Sequence, residues 1–347
     1  MTATAPSTTI RTLLVVDSPA QRAELNRVLQ RDGDIAVVAE TGTTEDVVGL
    51  VARIRPHVVV LGSSDGGAQH AIEQIMALAP TPILVLQGRV GERRSAAAVA
   101  ALVAGALEVV PAPARWTVPL EAGLRHSVRQ IRKVTVIRHP RGALPRPPRP
   151  QQPPGGAEQP VVALAASTGG PSALAAVLSA LPGLPAPVLV VQHLHPEFTA
   201  GLVDWMARAS ALPVKVAEHG EVARSGRVYL APGEVHLRLA ANGRLELAAT
   251  PATVHRPSAD QLFESVAERA GRAGVGVLLT GMGEDGARGL LEIHRRGGRT
   301  FAQDEASSAV FGMPRAAQRL GAVASVDLLP LDQLAAAIRR VVSAVER

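Results

Sequence analysis

Short hydrophobic runs alternate with amphipathic stretches along the first third of the chain. The runs Arg11–Val16, Ile35–Glu40, His57–Leu61, Ile83–Leu86 and Leu107–Val110 read as strands; apolar residues recur at helical spacing over Pro19–Gln30, Thr44–Arg53, Ala71–Leu78, Ser95–Val103 and Pro119–Lys133. Strands that are apolar throughout belong to sheets covered on both faces, and strict strand–helix alternation belongs to parallel sheets. The pattern predicts five βα units in a doubly wound, flavodoxin-like α/β domain spanning residues 10–133.

The pattern then breaks. Prolines crowd the stretch from Pro140 to Pro160, interleaved with arginine and glycine. Such a stretch cannot pack a core, so residues 134–160 read as an extended linker. Beyond it, buried-strand runs resume at Val161–Ala166, Val188–Val191 and Gly276–Leu279. They predict a second domain over residues 161–347, a three-layer α/β fold on a parallel sheet. At 347 residues the chain can give both domains proper cores.

Composition changes this picture little. Net charge is +6, which raises nucleic acid or an anionic surface as a partner. Eight Arg/Lys residues and no Asp or Glu lie between Arg125 and Arg149, however, so the excess sits in the linker and the helix before it. Aromatic residues make up only 2%, which leaves little for base stacking. The expectation is a basic connector that meets an acidic receptor or partner, with no specific nucleic-acid site. The chain has no cysteine, no run of transmembrane length and a polar start, so a cytoplasmic protein without membrane insertion is expected. No His/Cys/carboxylate cluster has metal spacing, and neither a metal nor a cofactor is expected.

Each strand of the second half ends in a residue suited to chemistry. Ala166-Ser167-Thr168-Gly169-Gly170-Pro171 is a strand, a sharp turn and a helix start. That turn presents either an acyl-transfer nucleophile or a phosphate cradle, since both use a helix N-terminus at the carboxyl edge of a parallel sheet. Ser167 also suits the helix cap. The second strand exits at Gln192-His193-Leu194-His195, where a general base is available from either histidine, two residues apart on one side of an extended segment. The third exits at Thr280-Gly281-Met282-Gly283-Glu284-Asp285-Gly286, whose Asp285 is either an orienting acid or a cap for the helix from Ala287. His219, His236 and His294 lie in no motif and read as surface or packing residues.

Five motifs in order resemble the catalytic domain of the CheB family of chemotaxis protein-glutamate methylesterases: Ala166–Gly170, Gln192-His193, His255-Arg256-Pro257-Ser258-Ala259-Asp260, Leu279–Ala287, and Ala302–Ser307 with Val310–Pro314. Ala165 stands where that family often has glycine, and Ser308 where it often has cysteine. The resemblance implies that Ser167 is the nucleophile, His193 the base and Asp285 the orienting acid, with Thr168 and the Met282 N–H on the oxyanion side. It implies esterase action on a methyl-accepting chemoreceptor, with glutamine deamidation as a related activity. A non-catalytic two-domain docking protein is the alternative reading. A nucleotide-binding regulator lacks the lysine and acidic partners that phosphate loops use.

Arg55–Leu61, Pro80–Ile83 and Ala104–Ala106 resemble the response-regulator receiver domain. A receiver needs an acidic pair after its first strand, a phosphoacceptor aspartate after the third, a hydroxyl after the fourth and a lysine after the fifth. Here those positions hold Asp17-Ser18, Gly62, about Gln87 and Ala112, so no phosphoacceptor is expected. Asp65 lies three residues past Gly62 as a poor substitute. The expectation is a pseudo-receiver on which a regulatory protein docks.

Overall fold

A computed structural model describes residues 9–62, 68–88, 92–134 and 160–345. The chain divides into two compact units, Met1–Arg141 and Gly142–Arg347. Unit one contains β1 (Ile10–Val16), α1 (Pro19–Gln30), β2 (Ile35–Thr41), α2 (Val47–Ile54), β3 (Val58–Gly62), α3 (Ala68–Leu78), β4 (Ile83–Gln87), α4 (Glu92–Ala104), β5 (Glu108–Pro111) and α5 (Val118–Ile131). Its five strands are parallel in the order β2-β1-β3-β4-β5, the doubly wound arrangement that the alternating pattern predicts. The helix expected from Thr44 starts later, at Val47, because Asp46 takes a left-handed conformation at φ 53°.

Two arginines of α5 are committed inside this unit. Arg125 is 5% exposed and donates to Asp32 and to the Val28 carbonyl, while Arg129 grips Asp32 and Asp34. Part of the basic stretch read from the sequence is thus neutralised at home. The region expected to be the linker falls almost wholly outside the described residues, as does Asp65.

Unit two contains β6 (Val161–Ala166), α6 (Gly170–Ser179), β7 (Val188–Gln192), α7 (Thr199–Ala209), β8 (Val214–Val216), β9 (Val228–Leu230), β10 (His236–Leu239), β11 (Leu245–Ala248), α8 (Ala259–Ala270), β12 (Gly274–Leu278), α9 (Ala287–Arg295), β13 (Arg299–Gln303), α10 (Met313–Arg319), β14 (Leu328–Leu329) and α11 (Leu331–Val345). Seven strands form one parallel sheet in the order β14-β13-β12-β6-β7-β9-β8, and β10 and β11 form an antiparallel hairpin. Successive side chains of a strand face opposite sides. Ala163, Ala165, Leu189 and Val191 accordingly pack in one core with Leu262, Phe263, Leu290 and Ile293 of α8 and α9. On the opposite side α6 packs with α7 and α11, giving three layers.

The chain leaves β6 for β7 on one side and later returns to β12 on the other. Loops diverge at such a switch point and open a crevice at the carboxyl ends of the strands. No helix among the described residues is long and apolar enough to cross a membrane.

Candidate active site

Register delivers the first two residues. Ala166 of β6 pairs with Gln192 of β7, so Ser167 and His193 are the next residues out of neighbouring parallel strands. The His193 N–H still donates to the Ala166 carbonyl, and the Ser167 N–H donates to the Thr280 carbonyl just past β12, both at 3.0 Å. Gly169, at φ 77°, turns the chain and is the N-cap of α6, without a side-chain cap bond. Ser167 therefore does not cap this helix, and its side chain is half-buried. Gln192, 5% exposed, fastens both turns: its Nε2 donates to the Ser167 carbonyl at 2.8 Å and to the His193 carbonyl at 2.9 Å.

Of the two histidines after β7, His193 meets the acid. Its Nε2 lies 2.8 Å from Asp285 Oδ2, with both side chains 10% exposed. Its Nδ1 is buried and has no hydrogen-bond partner among the described residues. An imidazole that donates from one nitrogen to a carboxylate keeps its lone pair on the other, so Nδ1 is the basic atom of this ring. His195 turns outward, where Nδ1 accepts from the Glu197 N–H and the ring tilts over Phe198.

Asp285 does not cap the helix that follows it. Gly286 is the N-cap of α9, and the carboxylate serves the N-terminus of α8. Oδ2 accepts from the Ala259 N–H at 2.7 Å; Oδ1 accepts from the Asp260 N–H at 3.1 Å and from Ser258 Oγ at 2.9 Å. Burial by itself would raise this carboxyl, but the His193 bond and charge and the two helix N–H groups outweigh it and hold Asp285 well below the ordinary carboxylate range. The fully buried His236 supports the platform, since its Nδ1 accepts from the Ser258 N–H and its Nε2 donates to the Pro251 carbonyl. Among the others, His219 accepts from the Leu247 N–H and His294 is exposed.

Neither the Thr168 nor the Met282 N–H meets an acceptor among the described residues. Thr280 Oγ1 donates to the Thr168 carbonyl at 2.9 Å and accepts from the Val310 N–H, while the Thr280 N–H donates to Gln303 Oε1 at 2.8 Å. The Gly281 N–H donates to the Val310 carbonyl, and its own carbonyl accepts from the Gly312 and Met313 N–H groups. The segment from Gln303 to Met313 therefore braces both turns. Sequence reasoning found these residues as motifs but gave no role to Gln192, Ser258, Thr280 or Gln303, whose partners lie in other loops.

In unit one, Ser18 caps α1 by accepting from the Gln21 N–H. Gly62 ends β3, Gln87 ends β4 and Ala112 follows β5. The Arg22 guanidinium donates to the Val16 and Asp17 carbonyls at the exit of β1, which fixes a positive charge there. Among the described residues, no group of three or more His, Cys, Asp or Glu side chains is placed to hold a metal ion.

A family model described as CheB methylesterase matches residues 162–338. The chain is 44% identical over 335 residues to the protein-glutamate methylesterase/protein-glutamine glutaminase 2 of Anaeromyxobacter dehalogenans (strain 2CP-C), covering 95% of this chain and 96% of that one. It is 43% identical over 317 residues to the protein-glutamate methylesterase FrzG of Myxococcus xanthus, covering 88% and 92% of the two chains. The crystal structure of the Thermotoga maritima CheB methylesterase catalytic domain aligns with a TM-score of 0.50 at 36% identity, over 52% of this chain and 98% of that one.

Proposed function

The chain belongs to the CheB methylesterase family, and on that premise we propose that it is a protein-glutamate methylesterase working through Ser167, His193 and Asp285. The observation that carries the site assignment is the His193–Asp285 pair, whose second imidazole nitrogen is buried and unpartnered beside the Ser167 turn. In the first step Nδ1 of His193 takes the Ser167 hydroxyl proton as Oγ attacks the ester carbonyl carbon of a γ-methyl glutamate. Asp285 holds the Nε2 proton and stabilises the imidazolium. Charge on the former carbonyl oxygen is met by the Thr168 and Met282 N–H groups. Collapse breaks the bond to methoxide, which leaves as methanol with the proton from Nδ1. Water, deprotonated by the same nitrogen, attacks the acyl-serine; Ser167 departs with its proton and the glutamate carboxylate is released. With a glutamine side chain the same steps expel ammonia, the deamidation that the relative's printed name carries.

The substrate class that family membership supports is a methyl-accepting chemoreceptor. The domain plan is a pseudo-receiver over 10–133, a linker over 134–160 and an esterase domain over 161–347. The positions of Gly62, Ala112 and the Arg22 charge support a receiver that takes no phosphate and serves as a docking module for a signalling protein. Methanol release from a receptor carrying labelled methyl groups tests the site. Ser167→Ala and His193→Ala are each expected to reduce it by about 10⁴-fold or more, with the double variant scarcely worse than either, because members of one catalytic unit are not additive. His195→Ala is expected to stay near the wild-type rate. Release that survives Ser167→Ala, or a larger loss from His195→Ala than from His193→Ala, overturns the assignment.

A further inference from the structure

The His193 ring has a neighbour that the mechanism leaves unused. His255 lies flat against it, with ring centroids 4.3 Å apart and planes within 9°. His255 stands three residues before Ser258, whose hydroxyl donates to Asp285. One stretch of chain thus covers the face of the base and supports the carboxylate at its edge. The backbone of that stretch is tied locally, since Thr253 Oγ1 donates to the His255 carbonyl.

Parallel stacking at this distance favours at most one charged ring. A neutral imidazole presents its π face to the His193 cation that forms in each turnover, whereas two imidazolium ions at 4.3 Å repel. The groups that face His255 are His193 at the exit of β7 and Asp285 before α9, with Arg256 its chain neighbour. His255 is exposed on its outer side, but desolvation of the side that packs against the site and the His193 charge together push it below the ordinary histidine range, against the opposing pull of Asp285. At neutral pH the covering ring is therefore uncharged.

We infer that His255 is a positioning residue of the esterase: as a neutral ring it clamps the His193 imidazole with Nε2 on Asp285 and Nδ1 toward Ser167, and its protonation releases the clamp. The inference rests on the proposed roles of Ser167 and His193. Without the stack, His193 is free to swing off Asp285, and small misplacements of a catalytic group are expensive in rate.

The test uses the full chain, a methylated receptor, and kcat and KM measured separately from pH 5 to 8. His255→Ala is expected to lower kcat at least tenfold with KM nearly unchanged. His255→Phe, which keeps a flat ring and removes the titrating proton, is expected to restore most of kcat. Because the two stacked rings hold at most one charge between them, the acid limb of log kcat should keep slope one in both proteins but begin at higher pH in the natural protein, where a proton on either ring stops turnover, than in His255→Phe. A wild-type kcat in His255→Ala overturns the inference, as does an effect confined to KM, or a phenylalanine variant no better than alanine. Ser167→Ala run alongside separates the failures: its loss of activity together with an unaffected His255→Ala defeats only the clamp, whereas retained activity defeats the site assignment itself.

Discussion

The Asp285 carboxylate accepts from one ring nitrogen, one hydroxyl and two backbone N–H groups while only a tenth of its side chain is exposed. Its ionisation is consequently part of the fold as well as of the site. As pH falls, unfolded chains take up this proton near the ordinary aspartate pKa of about 3.9, whereas the folded protein keeps Asp285 ionised to lower pH. The stabilisation is whole above about pH 5 and is lost as pH falls through 3.9 toward the depressed folded value. Urea unfolding should therefore show Asp285→Asn clearly less stable than the natural protein at pH 6, with the gap narrowing by pH 3. A gap independent of pH would detach this carboxylate from the stability of α8. Sequence pattern marked Asp285 as a candidate because it follows a buried strand in a glycine-rich exit. It left open whether the residue capped α9 or served a histidine, since the answer depends on Ser258 and Ala259, more than twenty residues away in the chain. The choice between His193 and His195 was open for a similar reason: alternation places both on one side of an extended segment, and only the turn into Pro196 sends His195 outward.

At the scale of elements, the site is three strand exits braced against one another, and glycine permits the approach. A β-carbon on Gly281 would stand 2.2 Å from Met313 Sδ and 2.8 Å from Ser167 Cβ. Gly281→Ala must then push the Ser167 turn or the start of α10 aside. Overpacking of this kind costs about 1–3 kcal/mol, and it falls on Ser167, the proposed nucleophile, rather than on a remote part of the core. The expected outcome is a fall in kcat of roughly a hundredfold with a modest drop in melting temperature; an active Gly281→Ala enzyme with ordinary kinetics would show that the Ser167 turn is not held by this contact. The strands and helices of the first unit, and β6, β7 and β12 of the second, were readable because they are long, periodic and bounded by turn residues. The short strands β8 to β11 were not. They span three or four residues each, and β8 is only half-buried, so their apolar signal is too brief to register against loops. The α5 arginines show the complementary limit: charge counting finds them, but only the fold reveals that Asp32 and Asp34, more than ninety residues away, already neutralise them.

For the whole molecule, the question is whether the first unit senses phosphate. The exit of β3 offers glycine, and even a β-carbon at Gly62 would meet Val16 Cγ2 at 3.3 Å, tighter than ordinary contact. At the exit of β1, Ser18 is spent as a helix cap and Arg22 brings a positive charge to the Val16 and Asp17 carbonyls. A divalent cation needs several oxygen ligands and gains nothing from a guanidinium held beside it. Transfer of a phosphoryl group depends on that cation and on the acceptor together. A small acyl phosphate with Mg²⁺ should accordingly leave methanol release by the full chain unchanged and incorporate no label into residues 9–134. Restoring the acceptor alone, by Gly62→Asp, should not create phosphorylation, because the second acid, the lysine after β5 and a cation site clear of Arg22 are all still missing. A ligand shifts a conformational equilibrium only by its differential binding, so phosphate cannot switch a unit that does not bind it, and the proposed docking protein is the signal left to test. Stoichiometric labelling of the natural chain, accompanied by a change in esterase rate, would return this unit to the phosphorylated receivers and remove the case for a docking module.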